Sequence, residues 1–221
     1  MIEPSAPESA ASGQKVYPRP SLTADVVLLR YRDGWLQVLL IERKRPPFAG
    51  RFALPGGFVD EGEAPIAAAA RELREETGVE GVPLYEVGAF GEAGRDPRGW
   101  VVSVAFLGLA TPDCWAQAGD DAAALGWHRL TKLPEMAFDH AQIIERALGT
   151  LRQRLQVDTT ALQLLPPGFR TVQARHLYSQ ILGEPIAPTP FKAWLRRRGA
   201  VERLGPARFA RAASLRPDWQ R

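Results

Sequence analysis

The sequence predicts a mixed α/β domain followed by a small, basic, helical domain. Short β-rich segments recur between residues 22 and 130, and one strongly helical segment lies among them, which is the pattern of a sheet covered by helices. The charge changes sign along the chain. Residues 1–150 hold 15 Lys and Arg against 21 Asp and Glu, whereas residues 151–221 hold 13 against 4. We therefore expect two modules, of which the basic one is a candidate for binding a polyanion.

The composition excludes several classes of protein. The 221 residues are 45% hydrophobic and 24% charged, which is typical of a globular chain and not of a fibrous or fully disordered one. No segment approaches the roughly 20 apolar residues that a membrane span needs, and the first residues do not resemble a secretory signal. We expect a cytoplasmic protein without a membrane partner. The single cysteine, Cys114, can close no disulfide within the chain, and we expect a buried, inert thiol.

The strands of the first module are predicted in chain order. Residues 1–20 are rich in Pro, Ser and Ala without apolar periodicity, so we expect a disordered tail. Residues 26–29 and 35–41 flank an Asp33-Gly34 pair, which predicts a β-hairpin. Further strands are predicted near residues 52–54, 82–90, 100–109 and 125–130. We assign residues 21–150 to this first domain.

The strongest helix signal covers residues 64–77. This segment is largely Ala, Leu, Glu and Arg, has Pro65 in its first turn, and is followed by Gly78. One edge has the spacing expected for packing on a sheet and consists of Ile66, Ala69, Ala70 and Leu73.

Helical spacing returns in the second half of the chain. A helix at residues 138–155 is predicted to connect the two modules. Helices follow at residues 172–182 and 191–198, and a short β-like end completes the chain. The turn between these two helices is predicted to contain Gly183, Pro185, Pro188 and Pro190. We assign residues 151–221 to a basic helix-turn-helix domain.

The acidic edge of the first helix indicates a metal site. Glu72 lies three and four positions before Glu75 and Glu76, so the three carboxylates share one edge. Arg71 can pair with Glu75, but Glu72 and Glu76 have no Lys or Arg three or four positions away. A solvated charged surface is the alternative interpretation. Carboxylates without His or Cys favour Mg²⁺ or Mn²⁺, whose open positions phosphate oxygens fill, and this predicts metal-assisted attack of water on a diphosphate.

The spacing of these residues decides between the two interpretations. The motif Gly-x5-Glu-x7-Arg-Glu-apolar-x-Glu-Glu-x-Gly-apolar is matched by Gly57, Glu63, Arg71, Glu72, Leu73, Glu75, Glu76, Gly78 and Val79. With this complete Nudix box, the chain resembles a Nudix hydrolase. The resemblance implies an α/β/α sandwich with a mixed sheet, in which the box forms a loop, a helix and a loop. It also implies hydrolysis of a nucleoside diphosphate linked to another moiety.

The resemblance assigns roles within the box. Glu72, Glu75 and Glu76 would hold the divalent metal, with help from the Gly57 carbonyl and from Glu63. Arg71 would orient the acids. The base that activates water is either Glu72 or Glu75. Acids outside the box, Glu92 and the pair Asp120-Asp121, are the alternatives, although loop acids are more often solvated turn residues.

A second stretch indicates the substrate. Residues 94–104 resemble a segment of Nudix proteins that handle ADP-ribose or related NAD metabolites. Arg95 and Arg98 can form forked hydrogen bonds to phosphate or ribose oxygens, and Asp96 lies between them. An exposed Asp-Pro turn with flanking arginines is the alternative. Arg51 is a weaker candidate for the diphosphate.

A Phe-Asp-His motif also recurs in the ADP-ribose group. In this chain it contains Asp139 and His140, which precede the connecting helix. We expect them to cap that helix and not to act in catalysis.

The basic end resembles a DNA-binding domain. Phe191, Trp194 and Leu195 have core spacing, which leaves a basic surface that consists of Lys192, Arg196, Arg197 and Arg198. A solvated helix of a small packing module is the alternative. Residues 138–205 resemble the connecting helix and winged helix-turn-helix of Nudix-related regulators of NAD metabolism, which bind operator DNA as dimers and sense ADP-ribose. The resemblance therefore implies a homodimer and double-stranded DNA as a partner.

Two functions follow as expectations. The first is Mg²⁺-dependent hydrolysis of ADP-ribose, or of a related nucleoside diphosphate derivative, to AMP and a sugar phosphate. The second is ADP-ribose-dependent transcriptional regulation, which depends on the basic end.

Overall fold

The computed structural model describes residues 17–117, 122–197, 201–203 and 208–211. The predicted tail at residues 1–20 lies mostly outside this part of the chain. So do Asp120, Asp121 and Arg198. Within the described residues, no helix is long and apolar enough to span a membrane.

A seven-stranded mixed sheet forms the centre of the fold. Its strands are β1 (Ser21–Arg32), β2 (Trp35–Arg43), β3 (Phe52–Ala53), β4 (Gly56–Phe58), β5 (Leu84–Phe90), β6 (Val101–Leu109) and β7 (Ala122–Arg129). The main path is β3-β2-β1-β6-β5, while β4 pairs with β1 and β7 pairs with β2. The β1–β6 pair is parallel, and the other pairs are antiparallel.

The predicted hairpin is confirmed. β1 and β2 meet at Asp33 and Gly34, both of which have positive φ, at 52° and 79°. This backbone suits the twist of the flanking strands, and Asp and Gly tolerate it best. The sequence did not predict β4, because its residues, Gly-Gly-Phe, show no alternation of apolar and polar side chains.

Helix α1 (Pro65–Thr77) covers one face of the sheet. Its bounds agree with the prediction, and Gly78 ends it in the left-handed conformation, with φ 68°. The predicted packing edge was partly wrong, because Ile66 and Ala70 are exposed. The buried edge instead contains Ala68, Ala69 and Leu73. Glu72 and Glu76 continue this edge at helical spacing, so the rotation of the helix turns them toward the sheet.

Helix α2 (His140–Val157) covers the opposite face. One cluster of buried side chains lies between the sheet and α1, and a second cluster lies between the sheet and α2. The predicted α/β/α sandwich is therefore confirmed.

The C-terminal part contains two helices and a small sheet. A 3₁₀ helix (Thr160–Leu164) precedes β8 (Phe169–Arg170), α3 (Thr171–Leu182), α4 (Pro188–Arg197), β9 (Val201–Arg203) and β10 (Arg208–Arg211). The three strands pair in the order β8-β10-β9. Pro188 and Pro190 lie within the first turn of α4 and not in the preceding turn as predicted. Proline fits there because the first N–H groups of a helix have no partner within it.

The two parts share one hydrophobic cluster. It runs from Val27 and Leu29 of β1 through Leu151 of α2 to Phe191 and Leu195 of α4. The predicted boundary between residues 150 and 151 falls within α2. It stays a prediction.

Candidate active site

Two glutamates of α1 meet the turn that forms β4. The Gly56 N–H donates a hydrogen bond to Glu76 Oε2 at 2.9 Å. A Cβ at Gly57 would overlap the Glu72 carboxylate, so only glycine allows this close approach. Glu72 and Glu76 therefore converge on the Gly56-Gly57 backbone. The sequence prediction that Gly57 belongs to the site agrees with this geometry.

Arg71 holds the loop and the helix together. Its guanidinium donates to Glu63 Oε1 and Oε2 at 3.0 and 2.9 Å, to Glu72 Oε1 at 2.7 Å and to the Phe58 carbonyl at 3.1 Å. These hydrogen bonds raise the pKa of Arg71 and lower that of Glu63. The predicted pair of Arg71 with Glu75 is only a 3.5 Å contact. No Lys or Arg lies three or four positions from Glu72, as the sequence analysis noted, but the adjacent Arg71 supplies the basic partner at 2.7 Å.

Among the described glutamates of the box, Glu76 is the one without an ion pair, whereas Glu63, Glu72 and Glu75 contact Arg71. Glu76 forms no ion pair with any described Lys, Arg or His within 4.0 Å. Burial raises its pKa from 4.5 to about 7, and the nearby charges of Glu72 and Asp25 act in the same direction, although the Gly56 N–H opposes them. The charge of Arg43 also lowers this pKa but does not cancel the effect of burial, so a proton or an external cation would stabilise the site.

Glu75 lies apart from the other two acids. Its side chain is 51% exposed, and it contacts Arg71 and Arg74 at 3.5 and 3.6 Å. Within the described part of the chain, no three His, Cys, Asp or Glu side chains are grouped closely enough to hold a metal ion. Glu72 and Glu76 therefore face the Gly56-Gly57 turn while Glu75 lies at the solvent edge, and the metal-binding role of the three carboxylates stays a prediction.

A cavity of about 100 Å³ lies beside the Gly56-Gly57 turn. Its walls are formed by Thr23, Asp25, Ile41, Arg43, Ala53, Leu54, Gly56, Gly57, Phe58, Arg95, Asp96, Arg98, Phe138 and His140. The predicted substrate residues Arg95, Asp96 and Arg98 therefore line the same cavity as Gly56 and Gly57. Arg51 does not line this cavity, and it forms a 2.6 Å ion pair with Glu135.

Two arginines of the cavity, Arg95 and Arg98, are paired with acids of this chain. Arg95 donates two hydrogen bonds to Asp139, at 2.8 and 2.6 Å, and its side chain is only 4% exposed. Arg98 donates to both carboxylate oxygens of Asp96, which lowers the pKa of that acid despite its burial. The alternative of an exposed turn does not hold, since Arg95 and Asp96 are buried. The predicted cap was also wrong: the Asp139 carboxylate makes no capping hydrogen bond, because it binds Arg95.

Several residues of the cavity were missed by the sequence analysis. Asp25 accepts a hydrogen bond from Ser103 and lies 3.8 Å from His140 Nε2. His140 Nδ1 accepts from the Leu54 N–H at 2.9 Å, and burial lowers the pKa of this imidazole. Arg43 lines the opposite wall and packs against the Phe138 ring. The sequence signal that could have indicated Asp25 was the presence of Thr23 and Asp25 at alternate positions directly before the apolar run of residues 26–29.

The remaining candidates lie elsewhere. Glu92 is exposed, and Asp120-Asp121 lies outside the described residues. Cys114 is half-buried and not fully buried as predicted, and burial raises the pKa of its thiol.

The basic surface of α4 has the predicted arrangement in its described part. Phe191 and Leu195 are buried, whereas Lys192, Arg196 and Arg197 are exposed. Trp194 stacks on Phe191, with ring centroids 5.5 Å apart.

Comparisons with known proteins identify the family. A family model described as NUDIX domain matches residues 19–147. The chain is 32% identical over 198 residues to the ADPR responsive transcriptional repressor NtrR of Acinetobacter baylyi, covering 88% of this chain and 79% of that protein. It is 41% identical over 133 residues to an ADP-ribose pyrophosphatase of Methanocaldococcus jannaschii, covering 59% of this chain and 75% of that protein.

A solved structure resembles nearly the whole fold. Shewanella oneidensis NrtR complexed with a 27mer DNA superposes with a TM-score of 0.73 at 31% identity, covering 86% of this chain and 92% of that chain. Both predicted resemblances, to the hydrolases and to the regulators, are thereby confirmed. The chain belongs to the Nudix family, and its first domain is that of a Nudix hydrolase.

Proposed function

We propose that this protein hydrolyses the diphosphate of ADP-ribose, or of a related nucleoside diphosphate derivative, to AMP and a sugar phosphate in the presence of Mg²⁺. One observation carries the proposal: Glu72 and Glu76 converge on a glycine turn beside a polar cavity. The similarity to an ADP-ribose pyrophosphatase supports the choice of substrate.

The residues present fit a divalent cation. Magnesium is commonly held by one or two carboxylates together with substrate phosphates. Glu72 and Glu76 supply two carboxylates, and the burial of Glu76 raises its pKa to about 7 although the charge of Arg43 opposes this. The Gly57 carbonyl and Glu63 are further candidates for ligands or for their support. A bound Mg²⁺ would polarise the phosphoryl oxygens and offset the charge that develops on them.

The side chains of the chain itself position the reactants. Arg71 holds Glu72 and Glu63 by charge-assisted hydrogen bonds, which keeps the loop against the helix. Arg95, Asp96 and Arg98 form the cavity wall on which the diphosphate or the adjoining sugar would bind. Glu72 and Glu75 remain the candidates for the base that takes a proton from the attacking water.

The proposed activity has a direct test. Purified protein is incubated with ADP-ribose and Mg²⁺, and AMP is measured by chromatography. Glu72→Gln and Glu76→Gln should abolish AMP release, whereas Glu86→Gln, at an exposed position on β5, should retain it. Turnover unaffected by both box substitutions would refute the assignment.

A second function is supported by the C-terminal part. The match to the repressor covers 88% of this chain and thus extends beyond the Nudix domain. Lys192, Arg196 and Arg197 form an exposed basic surface on α4, as expected for phosphate contacts. We propose as the alternative an ADP-ribose-sensing regulator that binds double-stranded DNA as a homodimer.

Gel-shift experiments test the alternative. DNA from upstream of NAD-synthesis genes should be retained at low salt and released by ADP-ribose, with a steep dependence on salt concentration. Absence of retention at low salt would eliminate DNA binding. Both functions can coexist, since a sensor that slowly hydrolyses its effector is physically consistent.

A further inference from the structure

Strand β1 carries two polar side chains in a buried row. Successive residues of a strand point to opposite faces, so Thr23 and Asp25 share a face with Val27 and Leu29, and Ala24 faces α1. Thr23 and Asp25 are only 7% and 6% exposed. Buried polar groups in an apolar strand are costly unless they are satisfied, which makes them candidates for a ligand.

The Thr23 hydroxyl has no hydrogen-bond partner among the described residues. Asp25 accepts from Ser103, but a carboxylate has room for further donors. Across the β1–β4 pair, Phe58 and Gly56 lie opposite Thr23 and Asp25 and line the same cavity. A ligand in this cavity would therefore meet one hydroxyl, which can donate or accept, and one carboxylate, which can only accept.

The volume limits which part of a ligand enters. The cavity, at about 100 Å³, is smaller than the roughly 300–1,000 Å³ that ligand sites typically span, so we expect it to receive only one part of a nucleotide. The hydroxyl-bearing edge of a sugar does fit. Gly57 connects the cavity to Glu72, so the sugar in question adjoins the diphosphate.

We propose that Thr23 and Asp25 recognise the hydroxyl groups of the sugar on the far side of the diphosphate. This inference rests on the proposed binding of a nucleoside diphosphate derivative. Sugar hydroxyls donate to Asp25 and exchange a hydrogen bond with Thr23, whereas an ionised terminal phosphate has no proton to donate to the Asp25 carboxylate, although Arg43, Arg95 and Arg98 also line the cavity. The subsite thus selects a nucleoside diphosphate sugar over a nucleotide that ends in phosphate.

Thr23→Val tests the proposal with little risk to the fold. Valine has nearly the same shape, and removal of an unpartnered buried hydroxyl is close to neutral for stability. Thr171→Val is the matched control, because its hydroxyl is also buried without a partner but lies in α3, outside the cavity. The probes are the α,β-methylene analogues of ADP-ribose and ADP, which resist hydrolysis and differ by the sugar. Affinities are measured by calorimetry with Mg²⁺.

The unmodified protein and Thr171→Val should bind the ADP-ribose analogue more tightly than the ADP analogue. Thr23→Val should weaken the former by about 3- to 10-fold and leave the latter unchanged. Equal affinity of the unmodified protein for both analogues, or an unaltered preference in Thr23→Val, would overturn the subsite and leave the proposed hydrolase intact. No binding of either analogue would instead overturn the proposed function, and the subsite with it.

Discussion

The substitution Glu76→Gln removes the free-energy cost of ionising a buried acid while leaving the shape of the side chain nearly unchanged. Glutamine keeps the acceptor for the Gly56 N–H but carries no charge. In the native protein the pKa of Glu76 is raised from 4.5 to about 7 by burial and by neighbouring acids. The pKa of Glu76 is higher in the folded state than in the unfolded state. The contribution of Glu76 to the free energy of unfolding is therefore complete below pH 4.5 and is lost as the pH rises through 7.

The size of the effect follows from this pKa. Ionisation of Glu76 at pH 8 costs the metal-free protein about 3 kcal/mol relative to a group with the usual pKa. At pH 5 the cost is below about 1 kcal/mol. Between pH 5 and 8, the melting temperature of the unmodified protein should fall by about 5–10 °C more than that of Glu76→Gln.

The assay is thermal unfolding in EDTA over this pH range, followed by circular dichroism. Glu75→Gln serves as the control, because it removes the charge of an exposed acid on the same helix, and its curve should follow that of the unmodified protein. Addition of Mg²⁺ at pH 8 should raise the melting temperature of the unmodified protein but not that of Glu76→Gln. Parallel curves for Glu76→Gln and the unmodified protein would refute the argument that this acid is desolvated.

Three further substitutions have expected outcomes. Gly57→Ala places a Cβ against the Glu72 carboxylate. This substitution should lower kcat about 100-fold and leave the melting temperature nearly unchanged. Full activity would contradict the proposed close approach. Asp139→Ala leaves the Arg95 guanidinium buried without its carboxylate partner. The free energy of unfolding, measured in urea, should fall by about 3–5 kcal/mol. A decrease below about 1 kcal/mol would show that the pair is solvated. If the protein binds DNA, Lys192→Ala should reduce the slope of log affinity against log salt by about 1, and an unchanged slope would remove this residue from the interface.

Short sequence motifs correctly predicted the turn and the helix end whose backbone conformation only a few residue types can adopt. The hairpin at Asp33-Gly34 and the end of α1 at Gly78 were predicted correctly, because each needs a backbone conformation that few residues tolerate. Periodicity predicted the existence of α1 but not its rotation. The small side chains of Ala68 and Ala69 allow close packing on the sheet, whereas the larger Ile66 remains exposed.

Contacts between distant segments could not be predicted in this way. Arg95 and Asp139 are 44 residues apart, and the sequence analysis predicted a substrate contact for Arg95 and a helix cap for Asp139, not a pair between them. Asp25 and His140 meet only because α2 packs across the sheet near the start of β1. The motif identified the chemistry of the box, but the cavity beside it is made by residues from five parts of the chain.

The hairpin relates the two proposed functions physically. Thr23 and Asp25 lie on β1 at the cavity, and the turn at the other end of this strand binds α3. There Gln180 accepts from the Leu36 N–H at 2.9 Å and donates to the Gly34 carbonyl at 2.6 Å. A ligand can shift the C-terminal helices only if it binds two arrangements with unequal affinity. The β1–β2 hairpin and α2 are the elements through which occupation of the cavity would favour one of them, because both reach the cavity and α3. In α2, His140 lines the cavity and Arg152 donates to the Ile181 carbonyl at 2.7 Å.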